Sequence, residues 1–279
     1  MRFGLAERLS IRLYKEVINM AKLKEKLWNW GHLEGSHNDC TLLNCRMTPE
    51  EFGEVYGIER AFIVSYGGNI QPPFDDLAQR FSALKEVKWS VLGDSSSPLP
   101  EAELGNAQDI LDARTAGGNI TGGVMDDFFA PERMERFTPE VLMKIRKKLN
   151  ENGLDFWCVL YDYQLDKDLS EYLPCFDGVS FWLWGCEQID AMEEHLQKFF
   201  TLAKDNKKML GVYLWDYKDV GKQPMDSEKF EIQLKRYFGL LKDKCIEGVI
   251  FCSSTVGDAD LETNKILKKY IDEYGETEI

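Results

Sequence analysis

Short apolar runs rich in β-branched and aromatic residues alternate along the chain with longer segments whose apolar positions recur every three to four residues. This alternation of period two with period 3.6 marks repeated βα units. Eight strands are predicted: LWNWGHLEG from Leu27, AFIVSYGG from Ala61, VKWSVLGDS from Val87, ITGGVMDDFF from Ile120, FWCVLYDYQ from Phe156, GVSFWLWG from Gly178, KMLGVYLWDY from Lys208 and GVIFCSST from Gly248. Helices are predicted between them. In FTPEVLMKIRKKLNENG, Thr138 suits the cap, Pro139 the first turn and Gly153 the end.

Eight such units with a closing helix, ADLETNKILKKYIDEYG, predict an α/β fold: a (β/α)8 TIM barrel, single domain, over residues 27–279. A doubly wound sheet uses the same units, but eight strands and no Gly-rich phosphate turn after the first weigh against it. Residues 1–26 read as an N-terminal helical extension, amphipathic and charged throughout, without the central apolar region of a signal peptide. Met20 offers a second start site, which would make the first 19 residues an upstream extension. The stretch GDSSSPLPEAE after the third strand reads as a loop over the barrel mouth.

Composition narrows the function. With 34 Lys and Arg against 48 Asp and Glu, the net charge of −14 disfavours nucleic acid and anionic membranes as partners. No segment reaches the roughly 18 uninterrupted apolar residues of a membrane span. Seven cysteines without CxxC spacing suggest reduced core thiols and a cytoplasmic location.

Barrel active sites form where strands end. Those ends carry Glu34 with His32 and His37, Tyr66, Asp94, the pair Asp126 and Asp127, Asp162 flanked by tyrosines, Trp184 with Glu187 beyond, Asp216 in YLWDY, and Ser253, Ser254 and Thr255. All seven tryptophans fall in predicted strands. Some must be core, but indole faces beside carboxylates that accept hydroxyl hydrogen bonds also compose a sugar site.

With GVMDD ending the fourth strand and YLWDY the seventh, the sequence resembles the glycoside hydrolase superfamily of (β/α)8 barrels. Several of its families place a catalytic Asp at the end of strand 4 in a Gly-hydrophobic-hydrophobic-Asp setting. The resemblance implies hydrolysis of a glycosidic bond by two carboxyl groups, one a general acid and the other a nucleophile or base. Chitinase-like enzymes would alternate Asp-x-Asp-x-Glu on strand 4, whereas MDDFF places Met125, Asp127 and Phe129 at that alternation. The chitinase-like phase turns Gly123, Met125 and Asp127 inward, making Asp127 the first catalytic candidate and leaving Asp126 to cap or bind a neighbouring loop; a bulge or early strand end reverses the two. Asp216 is the preferred partner, with Glu187 and Asp162 behind it. Tyr163, Tyr217, Trp184, Trp215 and Tyr66 would orient the sugar, and Glu34 or His32 would bind its hydroxyls.

No cofactor is expected. Two other functions compete: a barrel that binds carbohydrate without cleaving it, and a metal-dependent barrel hydrolase, for which the sequence offers few histidines and no His-x-His pair.

Overall fold

The computed structural model describes residues 21–218 and 223–279. Most of the amphipathic extension, residues 1–20, lies outside the described residues. Its last part, Leu23–Lys26, is a single 3-10 turn leading into the first strand.

All eight expected strands are present: β1 (Leu27–Gly31), β2 (Arg60–Ile63), β3 (Glu86–Leu92), β4 (Ile120–Met125), β5 (Asp155–Tyr161), β6 (Gly178–Trp182), β7 (Lys207–Tyr213) and β8 (Gly248–Cys252). They run parallel in sequence order, and β1 pairs with β8, with Leu27 opposite Val249, to close the barrel. Around it lie α1 (Pro49–Tyr56), α2 (Asp75–Arg80), α3 (Ala107–Thr115), α4 (Pro131–Arg136), α5 (Pro139–Asn150), α6 (Met192–Leu202), α7 (Ser227–Lys242) and α8 (Glu262–Tyr274). The protein is a single-domain (β/α)8 barrel.

Local chemistry explains the element boundaries. Thr48 and Glu51 form a capping box at the start of α1, which ends on Gly57 at φ 69°. Pro139 takes the first turn of α5 as expected, although the Thr138 side chain makes no capping hydrogen bond. Pro131 does not merely interrupt the chain after β4; it begins α4.

The interior is filled by tryptophans from alternate positions, and neighbouring strands make room for them with glycine. Trp157 pairs with Gly178 and Trp182 with Gly211 across adjacent strands. A Cβ on either glycine would come within 2.5 Å of the facing indole ring. At the N-terminal end, Lys88 is only 3% exposed. Its ammonium pairs with Asp155 at 2.5 Å and lies 5.2 Å from the Trp28 ring centre and 5.3 Å from that of Trp157. Trp89 points the other way, packing on Phe74 and Phe81 in the helical layer.

Candidate active site

Side chains along a strand alternate between the barrel interior and the helix ring. The C-terminal mouth therefore takes one residue from each strand or its immediate continuation: His32, Tyr66, Asp94, Asp126, Tyr161, Trp184, Tyr213 and Cys252. They line a cavity of about 630 Å³, within the size range of small-molecule sites. Asp127, Tyr163 and Tyr217 from the loops complete its acidic and aromatic walls.

The phase of β4 differs from expectation. A Cβ on Gly123 would meet Val91 and Leu149 on the helix side, whereas one on Gly122 would meet Lys88 and Asp155 in the interior. Two residues per repeat from Gly122 leads through Val124 to Asp126, which is 5% exposed and lines the cavity. Asp127 reaches the same cavity by another route. The strand ends at Met125, and Asp127 adopts φ 43°, a left-handed turn that swings its side chain back over the mouth. An early strand end thus brings both aspartates to one wall. Beside them the register of β3 against β4 slips between Ser90 and Leu92.

The two carboxyl groups have opposite environments. Burial holds the Asp126 carboxyl well above the ordinary carboxylate range, and the negative charges of Asp127 and Asp94 push it further the same way. One Asp126 oxygen accepts the Asp127 backbone N–H at 2.9 Å. The Asp127 oxygens accept one hydrogen bond each, from the Ser95 backbone N–H at 2.8 Å and from the Tyr161 hydroxyl at 2.8 Å. Two hydrogen-bond donors on two different oxygens suit a carboxylate.

Buried Arg133 of α4 fixes this wall. Its guanidinium donates to the carbonyls of Gly93 at 2.7 Å and Asp126 at 2.8 Å, and also to that of Asp94. Asp94 in turn accepts from the Ser97 hydroxyl at 2.6 Å, the Gly67 N–H at 3.1 Å and both the N–H and hydroxyl of Ser96. It organises the loops after β2 and β3.

The remaining expected residues divide between cavity and scaffold. His32, Tyr66, Tyr163, Trp184 and Tyr217 line the cavity. Asp216, expected as the partner carboxylate, lies outside it and accepts the backbone N–H groups of Cys186 at 3.2 Å and Lys218 at 3.1 Å. It caps the turn joining the β6 loop to a short hairpin, Trp215–Asp216 with Gln223–Pro224, and we do not carry it forward as a catalytic group. Glu187 is ion-paired with Lys218 at the surface. Asp162, just after β5, is one position out of phase with cavity-lining Tyr161 and accepts the Trp184 N–H at 2.5 Å. Glu34 pairs with Arg80 at 2.9 Å, and Trp215 packs in the core. None of these five lines the cavity.

Reading the sequence for acids passed over the residues that dominate the mouth, Tyr161 and Tyr213, and gave no role to His37, whose Nδ1 meets the Tyr217 hydroxyl at 2.9 Å and that of Thr255 at 2.8 Å. Counting in twos from each strand's buried tryptophan or glycine would have found the tyrosines.

No protein-family model matches the sequence, and no curated protein does. Solved structures do match in fold. A chitinase domain from Pyrococcus furiosus, determined with chito-oligosaccharides, superimposes with a TM-score of 0.57 at 11% identity, covering 93% of this chain and 99% of that one. The fold is similar to that of chitinase barrels. A xylanase-α-amylase inhibitor protein determined with trehalose gives 0.56 at 13% identity, covering 89% and 98%. The spore cortex-lytic enzyme SleL of Bacillus megaterium gives 0.55 at 12%, covering 89% of this chain and 74% of its own.

Proposed function

We propose that this barrel is a glycosidase acting on a 2-acetamido-2-deoxy sugar, with the acetamido group of the substrate serving as nucleophile. The carrying observation is the opposed environment of two adjacent carboxyl groups on one wall: Asp126 buried, its proton affinity raised by that burial and by the neighbouring acids, and Asp127 bound through both oxygens to hydrogen-bond donors. The fold shared with chitinases is consistent with this reading.

In the first step, Asp126 donates its proton to the leaving-group oxygen while the acetamido carbonyl oxygen attacks C1 and the glycosidic C–O bond breaks. Asp127 accepts the acetamido N–H and balances the positive charge of the resulting cyclic intermediate. In the second step, the Asp126 carboxylate takes a proton from water, which attacks C1 and reopens the ring with net retention. Tyr161 keeps Asp127 in place, and the rings of Trp184, Tyr213 and Tyr217 form the aromatic wall against which a sugar face packs. This chain lacks the Asp-x-Asp-x-Glu alternation, and in this reading the second carboxyl comes instead from the position adjacent to Asp126, through the left-handed turn at Asp127.

The test uses aryl N-acetylhexosaminides of both anomeric configurations with leaving groups of graded acidity. Asp126→Asn should lose about 10² to 10⁴ in kcat on poor leaving groups and little on the most acidic phenol, because only a poor leaving group needs the proton. Asp127→Asn should lose a similar factor on all of them. Wild type that binds these sugars and cleaves none would overturn the hydrolase reading in favour of carbohydrate binding alone.

A further inference from the structure

We infer that His32 reads one hydroxyl group of the bound sugar, accepting its hydrogen bond at Nε2. The inference rests on the proposal that the cavity holds a sugar, but not on its hydrolysis.

His32 follows β1 at the cavity wall and is 3% exposed. Its Nδ1 lies 2.9 Å from the backbone carbonyl oxygen of Val64. A carbonyl only accepts, so Nδ1 carries the hydrogen and the tautomer is fixed. Burial lowers the affinity of the ring for a second proton, outweighing the hydrogen bond to Val64 and the nearby charges of Asp94 and Asp127. Nε2 is then a bare acceptor. It has no hydrogen-bond partner among the described residues, although the ring lines the cavity.

The plane of the imidazole is fixed as well. The His37 ring sits 4.7 Å away, and the Tyr66 ring meets it edge-on at 5.6 Å. A ring anchored at one nitrogen and packed against two mutually contacting aromatics has little freedom to redirect the other. Nε2 opens on the cavity, where a donor on a ligand gives it the hydrogen bond that the described residues do not supply. Of the neighbouring acceptors, Asp94 is engaged by Ser96, Ser97 and Gly67, and Asp127 is assigned to the acetamido N–H. A sugar hydroxyl is the donor that fits, and it must be free. A ring deoxygenated or O-substituted at that carbon leaves Nε2 unpaired.

Calorimetric binding of N-acetylglucosamine, N-acetylgalactosamine and their 3-, 4- and 6-deoxy analogues to wild type, His32→Phe and His32→Gln tests this without turnover. Wild type should bind one deoxy analogue about 10- to 100-fold more weakly than its parent. His32→Phe should bind the parent equally weakly and no longer distinguish it from that analogue, and His32→Gln should restore part of the discrimination. Equal weakening of every sugar in His32→Phe, retained discrimination in that variant, or no sugar binding by wild type would overturn the inference. Should His32→Phe fail to fold, His32→Gln decides on the same criterion: its discrimination of that one analogue must change relative to wild type. Protein that discriminates hydroxyls but cleaves nothing keeps this inference and loses the hydrolase reading. Hydrolysis with unchanged discrimination in the variants does the reverse.

Discussion

The hydroxyl of Tyr161 donates to one carboxylate oxygen of Asp127 at 2.8 Å, joining the last residue of β5 to the turn that follows β4. Both groups face the cavity. Tyr161 is buried, and its phenol is pushed well above its ordinary value, first by burial and then by the charge of Asp127. It remains a donor across the working pH range, and Asp127 gains a fixed direction.

Tyr161→Phe keeps the ring and removes only that donor. A hydrogen bond to a charged group contributes about 1.5–3 kcal/mol, so kcat on N-acetylhexosaminides should fall about 10- to 100-fold. Thermal melting should fall by no more than that one hydrogen bond accounts for, because the aromatic packing on Tyr163 and Trp184 is unchanged. A lowered melting temperature with kcat retained in the folded variant would mark Tyr161 as structural instead.

Asp126 couples activity and stability to pH in the same direction. Its folded-state affinity for a proton exceeds that of an ordinary carboxyl. The stability it contributes is therefore fully present below the ordinary carboxylate range and is lost as pH rises through the raised folded value. Asp126→Asn should melt higher than wild type at pH 8, with the advantage shrinking toward pH 4. The kcat of wild type should decline on its alkaline side by about tenfold per pH unit once the Asp126 proton is lost. Parallel melting curves for the two proteins across that range would contradict this assignment.

The opposite end of the barrel makes a separate prediction. Lys88 is buried between two indoles with Asp155 as its ion-pair partner, whereas Asp155 also has Lys207 at 3.6 Å. Asp155→Asn strands a buried ammonium and should cost about 3–5 kcal/mol, while Lys88→Met leaves Asp155 paired and should cost far less. Urea unfolding of the two variants measures the difference. Similar losses would mean that the pair itself contributes the stability.

The alternation of apolar periods was enough to locate all eight strands and to predict the single barrel, because period two and period 3.6 are local consequences of backbone geometry. The sequence alone also pointed to the fourth strand end, where adjacent aspartates follow two glycines. It did not determine which acids face the axis. Asp162 and Asp216 stand at strand ends as plainly as Asp126 does, yet their side chains hold backbone N–H groups outside the cavity. One residue of phase separates a wall group from a scaffold group, and that phase is set by the glycine–tryptophan packing inside the barrel. Nor did it show that Asp127 would rejoin Asp126, which depends on a left-handed turn held by Ser95 from the neighbouring loop and Tyr161 from the neighbouring strand. Periodicity is a property of each strand, but the direction of a carboxyl group at its end depends on contacts with the strands beside it.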